Sequence, residues 1–122
     1  MKRLPDTELE VMKALWECGE RTSRAELEQH LPKDQWTANT VNTYLTRLKQ
    51  KGFVEAERSG RDNFYTALVS REDYLAFDSR STLERLYGSP RNFIAALARG
   101  GLKSGEVDQL KELLDHLEES DG

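Results

Sequence analysis

Between Trp36 and Val54 runs a series of side chains able to hydrogen-bond with nucleic acid: Asn39, Thr40, Asn42, Thr43, Thr46, Arg47, Lys49 and Gln50. Interleaved with them, Val41, Leu45 and Leu48 recur at i, i+4 and i+7, the spacing of one buried helix face. The run predicts an amphipathic helix whose polar face carries Thr, Asn, Gln, Arg and Lys but no carboxylate. A solvated helix ordinarily mixes Glu with Lys for i,i+4 support, so a face lacking acids is biased towards phosphates and base edges. That is the chemistry of a DNA recognition helix.

Helix start and stop signals frame this segment. Thr7 followed by Glu10 reads as a capping box behind Pro5, opening a helix with Leu9, Met12, Leu15 and Trp16 that stops at Gly19. Ser23 with Glu26 opens a second, short helix with Leu27 and Leu31 inward, ended by Pro32. Thr37 caps the third, which runs to Lys51 before Gly52. The three form a helix-turn-helix.

After Gly52 the period changes to two over Phe53–Arg58 and Asn63–Leu68, with Ser59-Gly60-Arg61-Asp62 between them. This predicts a β-hairpin with a basic tip, the wing of a winged helix. Ser70 with Asp73 opens a helix bearing Tyr74, Leu75, Phe77, Leu83, Leu86 and Tyr87 and closed by Gly88. Ser89-Pro90 opens another with Phe93, Ile94 and Leu97, ended by Gly100-Gly101. Ser104 caps the last, whose stripe is Val107, Leu110, Leu114 and Leu117, widened by Leu113. Helices this short cannot bury so many apolar residues alone, which implies a symmetric homodimer. The expected fold is mainly α with a small β-hairpin. An N-terminal winged helix-turn-helix over residues 1–70 precedes a C-terminal helical dimerisation region over residues 71–122.

The net charge of −4 becomes informative when divided along the chain. From Thr37 to Arg61, Arg47, Lys49, Lys51, Arg58 and Arg61 outnumber Glu55 and Glu57, a balance of +3. From Arg71 onward the balance is −4. One segment is suited to phosphate and the other is not.

At 33% charged and 37% hydrophobic the chain is neither disordered nor collagen-like, and it has no apolar run of membrane-spanning length. Met1-Lys2-Arg3-Leu4-Pro5 turns polar at once, so no signal peptide and a cytoplasmic location are expected. Cys18 stands alone and is expected as a small buried or half-buried apolar filler, with a redox-sensing or metal-binding thiol as the alternative. His30 and His116 have no metal-ligand spacing around them and are expected at the surface. No Gly-rich phosphate loop, nucleophile elbow or activated cysteine is present, so neither an enzyme nor a cofactor or metal is expected.

Taken together, these residues resemble the penicillinase-repressor family, the BlaI/MecI/CopY type of winged-helix bacterial transcription repressors, across nearly the whole chain. The resemblance rests on Leu4, Glu8, Met12 and Trp16 and on Thr40-Val41-x-Thr43-x-Leu45-x-Arg47-Leu48-x-x-Lys51-Gly52. It continues in Gly60-Arg61, Tyr65, Ser70-Arg71-Glu72 and Ser104-x-Glu106-Val107-x-x-Leu110. It implies a homodimer that represses transcription on an inverted-repeat operator, with half-sites about one helical turn or a multiple apart.

Asn39, Thr40, Asn42, Thr43 and Arg47 are the candidates for base contacts, since Asn and Arg can be bidentate to adenine and guanine and Thr can meet a thymine methyl. Thr37, Lys49, Arg58 and Arg61 are the candidates for phosphate. Structural alternatives pair Arg47 with Glu55, or use Thr43 as a cap. Leu83, Leu86, Phe93, Ile94, Leu97, Val107, Leu110, Leu114 and Leu117 are expected in the dimer interface.

Some members of that family are inactivated when a sensor-linked protease cuts an Asn-Phe bond in the dimerisation region. Asn92-Phe93 resembles that site, although Phe93 on an amphipathic helix also suits a core. The copper-responsive branch carries a cysteine-rich tail, which Leu117-Glu118-Glu119-Ser120-Asp121-Gly122 does not match. The competing reading is a winged helix that assembles proteins, without specific DNA readout.

Overall fold

The structure is a computed structural model that describes the backbone of residues 1–121 and the side chains of residues 1–119. The side chains of the last three residues, on which the expectation about a cysteine-rich tail partly rests, lie outside the described part.

Helix α1 spans Asp6–Cys18. The expected Thr7–Glu10 box does not form, because Pro5 occupies the N-cap position and no side chain caps the helix. Proline's constrained φ, here −58°, sets the chain at the helix entrance, and its carbonyl accepts the Leu9 N–H at 2.9 Å. Val11, Met12, Ala14 and Leu15 are buried, and Gly19 ends the helix at φ 87°, a conformation glycine adopts without steric cost.

Strand β1, Thr22–Ser23, is an element the sequence did not announce. It leads into α2, Arg24–Glu28, where Ser23 Oγ accepts the Glu26 N–H at 3.2 Å as its spacing predicts. Helix α3 spans Ala38–Gln50. Thr37 Oγ1 accepts the Thr40 N–H at 3.2 Å, and Gly52 follows the helix at φ 81°.

The hairpin is β2, Val54–Ser59, and β3, Asp62–Ala67, paired antiparallel from Val54 opposite Ala67 to Ser59 opposite Asp62. β1 adds to the free edge of β3, Thr22 opposite Tyr65 and Ser23 opposite Phe64, giving the order β1-β3-β2. This third strand gives the hairpin the support a two-stranded ribbon lacks.

Helix α4 spans Arg71–Thr82, with Ser70 Oγ accepting the Asp73 N–H at 3.1 Å. It runs directly into one π-helical turn, Leu83–Tyr87, closed by the Gly88 N–H on the Leu83 carbonyl at 2.7 Å. Helix α5 spans Pro90–Gly101 with Ser89 as its cap. Helix α6 spans Ser104–Asp121. Ser104 is its first residue rather than its cap: Glu106 Oε1 reaches back to the Lys103 N–H at 3.0 Å, so the capping acid is present but the cap position falls on Lys103.

The chain forms two compact units, Met1–Asp78 and Ser79–Gly122. The first extends past residue 70, where the sequence suggested a boundary, because the start of α4 is tied into it. Tyr74 is 1% exposed, its hydroxyl accepts the Leu4 N–H at 2.9 Å, and its ring lies against Trp16, Phe53 and Phe77. Trp16 Nε1 in turn donates to the Val69 carbonyl at 2.9 Å. Among the described residues, the buried hydrophobic core runs from Leu4 to Tyr74 and has no member in the second unit.

Glu8 is the one buried carboxylate among the described residues, its side chain 3% exposed and 2.6 Å from Lys51 Nζ at the end of α3. Removing one partner strands the other, whereas replacing both with neutral groups does not. Lys51→Ala is expected to destabilise the protein by about 2–4 kcal/mol, towards the low side for a buried pair because Lys51 is 35% exposed. The joint change Glu8→Gln with Lys51→Met is expected to recover most of that loss in urea denaturation followed by circular dichroism. A double variant no more stable than Lys51→Ala would refute this account.

Candidate nucleic-acid interface

The orientation of α3 follows from its buried seam. Val41, Leu45 and Leu48 are at most 1% exposed and face the core. On a helix of 3.6 residues per turn, the line directly opposite that seam is Asn39, Thr43, Thr46 and Gln50, again at i, i+4, i+7 and i+11. All four are exposed, as is Arg47 beside them, while Thr40 and Asn42 are half-buried on opposite flanks. Lys49 is exposed on the Asn42 flank. Thr46 and Gln50 therefore stand in the outermost row. The sequence placed them on the polar face but did not single them out, because hydrogen-bonding type alone does not rank positions by outward reach.

Local bonds decide what each side chain can still offer. Thr43 Oγ1 donates to the Asn39 carbonyl at 2.9 Å, and Thr46 Oγ1 donates to the Asn42 carbonyl at 2.9 Å. Their hydroxyl hydrogens thus point back along the helix. Thr40 and Thr37 share a contact of 2.9 Å between hydroxyls at the cap, so Thr37 serves the helix end and Thr40 lies beside it. The alternative of an Arg47–Glu55 bridge is not what forms: the Arg47 guanidinium lies 5.4 Å from the Tyr44 ring centroid, and among the described residues it makes no ion pair. Tyr44 in turn meets Trp36 edge-on at 5.6 Å. Arg47 therefore has its side-chain donors available beside the outer row.

The wing supplies further positive charge. Arg58 and Arg61 are exposed on either side of the Gly60 turn, and Arg58 Nε lies 3.4 Å from the Gly60 carbonyl. Glu57 is answered by Arg21 at 3.4 Å, and the Arg21 guanidinium also covers Phe64 at 4.0 Å. Lys51 is engaged by Glu8, so one of the five cations in the basic segment is already compensated from α1. The remaining positive charge lies on Arg47, Lys49, Arg58 and Arg61.

In the second unit, Leu86, Phe93, Ile94, Leu97, Leu114 and Leu117 are between 37% and 60% exposed, and Leu83, Val107 and Leu110 are half-buried. Asn92 and Phe93 occupy the first turn of α5. The Asn92 and Phe93 N–H groups bond to Ser89, Asn92 Nδ2 donates to the Tyr87 carbonyl at 2.8 Å, and Phe93 stacks edge-on against Tyr87 at 5.1 Å. Cys18 is half-buried. His30 and His116 are exposed, with His30 Nδ1 lying 3.3 Å from Glu17. No described helix is long and apolar enough to cross a membrane.

This arrangement has counterparts among known proteins. The penicillinase repressor of Bacillus licheniformis is 30% identical over 120 residues, covering 94% of each chain. The methicillin resistance regulatory protein MecI of Staphylococcus aureus (strain N315) is 23% identical over 114 residues, covering 92% of this chain and 93% of that one. The solution structure of the DNA-binding domain of the repressor BlaI superposes with a TM-score of 0.51 at 35% identity, covering 61% of this chain and 94% of that domain. The model of the penicillinase repressor family matches residues 4–116, which takes in the winged helix and most of the C-terminal helices alike. By sequence over nearly its full length and by the fold of its winged helix, the chain belongs to the penicillinase repressor family, whose members are DNA-binding transcription repressors and not enzymes.

Proposed function

We propose that this chain acts as a homodimer that lays two copies of α3 into the major groove of an inverted-repeat operator and so blocks transcription. The observation that carries the reading is the outer row of α3: Asn39, Thr43, Thr46 and Gln50 with Arg47 beside them, exposed and without a carboxylate. Arg47 and Asn39 have the donors for bidentate base contacts, Thr43 presents a methyl, and Thr40 and Asn42 border the groove from the flanks. Thr37, Lys49, Arg58 and Arg61 contact phosphate and set the register of the helix. A protein-assembly role would instead call for outward aromatic or aliphatic anchors, and the outer row has none.

The dimer is supported by the second unit. Its apolar residues have no buried partner among the described residues, and a pair of such units shelters them against each other. Leu83, Leu86, Phe93, Ile94, Leu97, Val107, Leu110, Leu114 and Leu117 form that contact. Two linked half-site contacts give an avidity neither has alone, so anything that splits the dimer releases the operator. Scission of Asn92–Phe93 by a sensor-linked protease is one such route, and the exposure of both residues favours access once the first turn of α5 opens. A protein with this role works beside the chromosome, in the cytoplasm.

Binding to the DNA upstream of its own coding region, compared with a scrambled duplex of equal length at several salt concentrations, tests the reading. Tight, salt-sensitive and sequence-dependent binding is expected, and absence of sequence preference at every salt would overturn it. Arg47→Ala is expected to weaken operator binding by about 1–3 kcal/mol and to relax the preference at one base pair. An unchanged ratio of specific to non-specific affinity would remove Arg47 from the base-reading set. Leu110→Glu with Leu114→Glu is expected to yield monomers in analytical ultracentrifugation, and a persistent dimer would rule out that face of α6. Mass spectrometry of the chain recovered from derepressed cells is expected to find fragments ending at Asn92 and beginning at Phe93. An intact chain under full derepression would exclude proteolytic release.

A further inference from the structure

Between the start of α2 and the tip of the wing lies a polar groove of about 170 Å³ bordered by Ser23, Arg24, Arg61, Asp62 and Asn63. The sheet creates it. β1 pairs with β3 up to Ser23 opposite Phe64, so Arg24, the first residue of α2, and Asn63 of β3 directly adjoin that paired edge. Two guanidiniums far apart in sequence, Arg24 at the start of a helix and Arg61 in a hairpin turn, thereby line one concavity. Neither is committed elsewhere by a strong bond. Arg24 Nε is 3.4 Å from Glu28 Oε1, a buried oxygen with no hydrogen-bond partner, so Arg24 answers its charge without a hydrogen bond and the other guanidinium donors stay open. The two side chains are 44% and 37% exposed, which limits what the pair contributes. Among the described residues Arg61 makes no ion pair.

We infer that Arg24 and Arg61 together grip one phosphate of the DNA backbone, with Ser23 and Asn63 offering further polar contacts, so that the anchor is shared between α2 and the wing. The inference rests on the DNA-binding reading above and adds Arg24 to it. Guanidinium suits this work because its planar fork of donors matches phosphate oxygens. Asp62 on the rim offsets part of the charge of the two guanidiniums, so the groove holds a phosphate best when a duplex already bound by α3 delivers it. Free inorganic phosphate lacks that delivery and binds weakly by comparison.

The test is the slope of log affinity against log salt for the full chain, on the operator and on a scrambled duplex. Losing one phosphate contact lowers the magnitude of that slope by about 0.9. Arg24→Ala, which leaves Arg61 on the shared phosphate, is expected to lower it by part of that amount and equally on both duplexes, because phosphate contacts carry no sequence information. Arg24→Lys is expected to keep most of the slope. The double change Arg24→Ala with Arg61→Ala is expected to bring the loss to about the full 0.9, since both side chains serve one phosphate. Inorganic phosphate at millimolar concentration and constant ionic strength is expected not to compete. Arg24 is exposed, so its loss leaves the fold intact, which circular dichroism verifies. An unchanged slope in Arg24→Ala, with the wild type still salt-sensitive, would overturn the assignment and leave the repressor reading standing. Wild-type binding insensitive to salt would overturn both.

Discussion

The roll of α3 about its own axis is the constraint on which everything else depends. Burying Val41, Leu45 and Leu48 stabilises one roll by about 1.5–3 kcal/mol for each side chain, and any other roll trades one of them for Asn or Thr against the core. Both ends of the helix hold that choice in place. At the start, the Thr37 hydroxyl holds the Thr40 N–H; at the end, the buried Glu8 carboxylate holds Lys51. The same buried acid ties α1 to the far end of the helix that carries the interface. The outer row of Asn39, Thr43, Thr46 and Gln50 is the geometric remainder of those choices.

The two units are built on different principles. The first has a contiguous core from Leu4 to Tyr74, with Tyr74 and Trp16 pinning the start of α4 and the Leu4 segment to it. The second has helices, caps and a π-helical turn, but no described apolar side chain in it is buried. Local capping can start such helices and cannot hold them, because most helix stability comes from packing an apolar face. In the proposed dimer, folding of the second unit is coupled to association, and its stability then depends on protein concentration where that of the first does not.

What could be read from the sequence was what is local in sequence. Ser23, Thr37, Ser70 and Ser89 each meet an N–H three residues ahead, so type and spacing sufficed to identify them as caps. Thr7 misled because Pro5 had already set the chain into helix, and Ser104 misled by a single position because Glu106 reaches back to the Lys103 N–H, three residues earlier. Strand β1 could not be seen, since a two-residue strand exists only by virtue of its partner β3. Nor could the engagement of Lys51, whose partner lies 43 residues earlier and turns a cation counted with the basic segment into a core fixture. The π-helical turn was equally hidden, because nothing in the residue types over 71–87 marks where the helix loosens. The candidate interface was legible as a set of residue types, and its ordering into an outer row and flanks required the roll of the helix.

The inward-turned hydroxyls of Thr43 and Thr46 bear on the cost of dehydrating this face. A hydroxyl that gives its hydrogen to water loses that bond when a groove closes over it, and a donor left unpaired costs about 1–3 kcal/mol. Here each hydrogen is already held by a carbonyl one turn back, so closure strands no donor at either position. What remains outward is a methyl group and oxygen lone pairs. Such a surface gives up its hydration at small cost and, in the proposed complex, demands little of the bases it covers, which leaves discrimination to neighbours whose polar groups are still unspent.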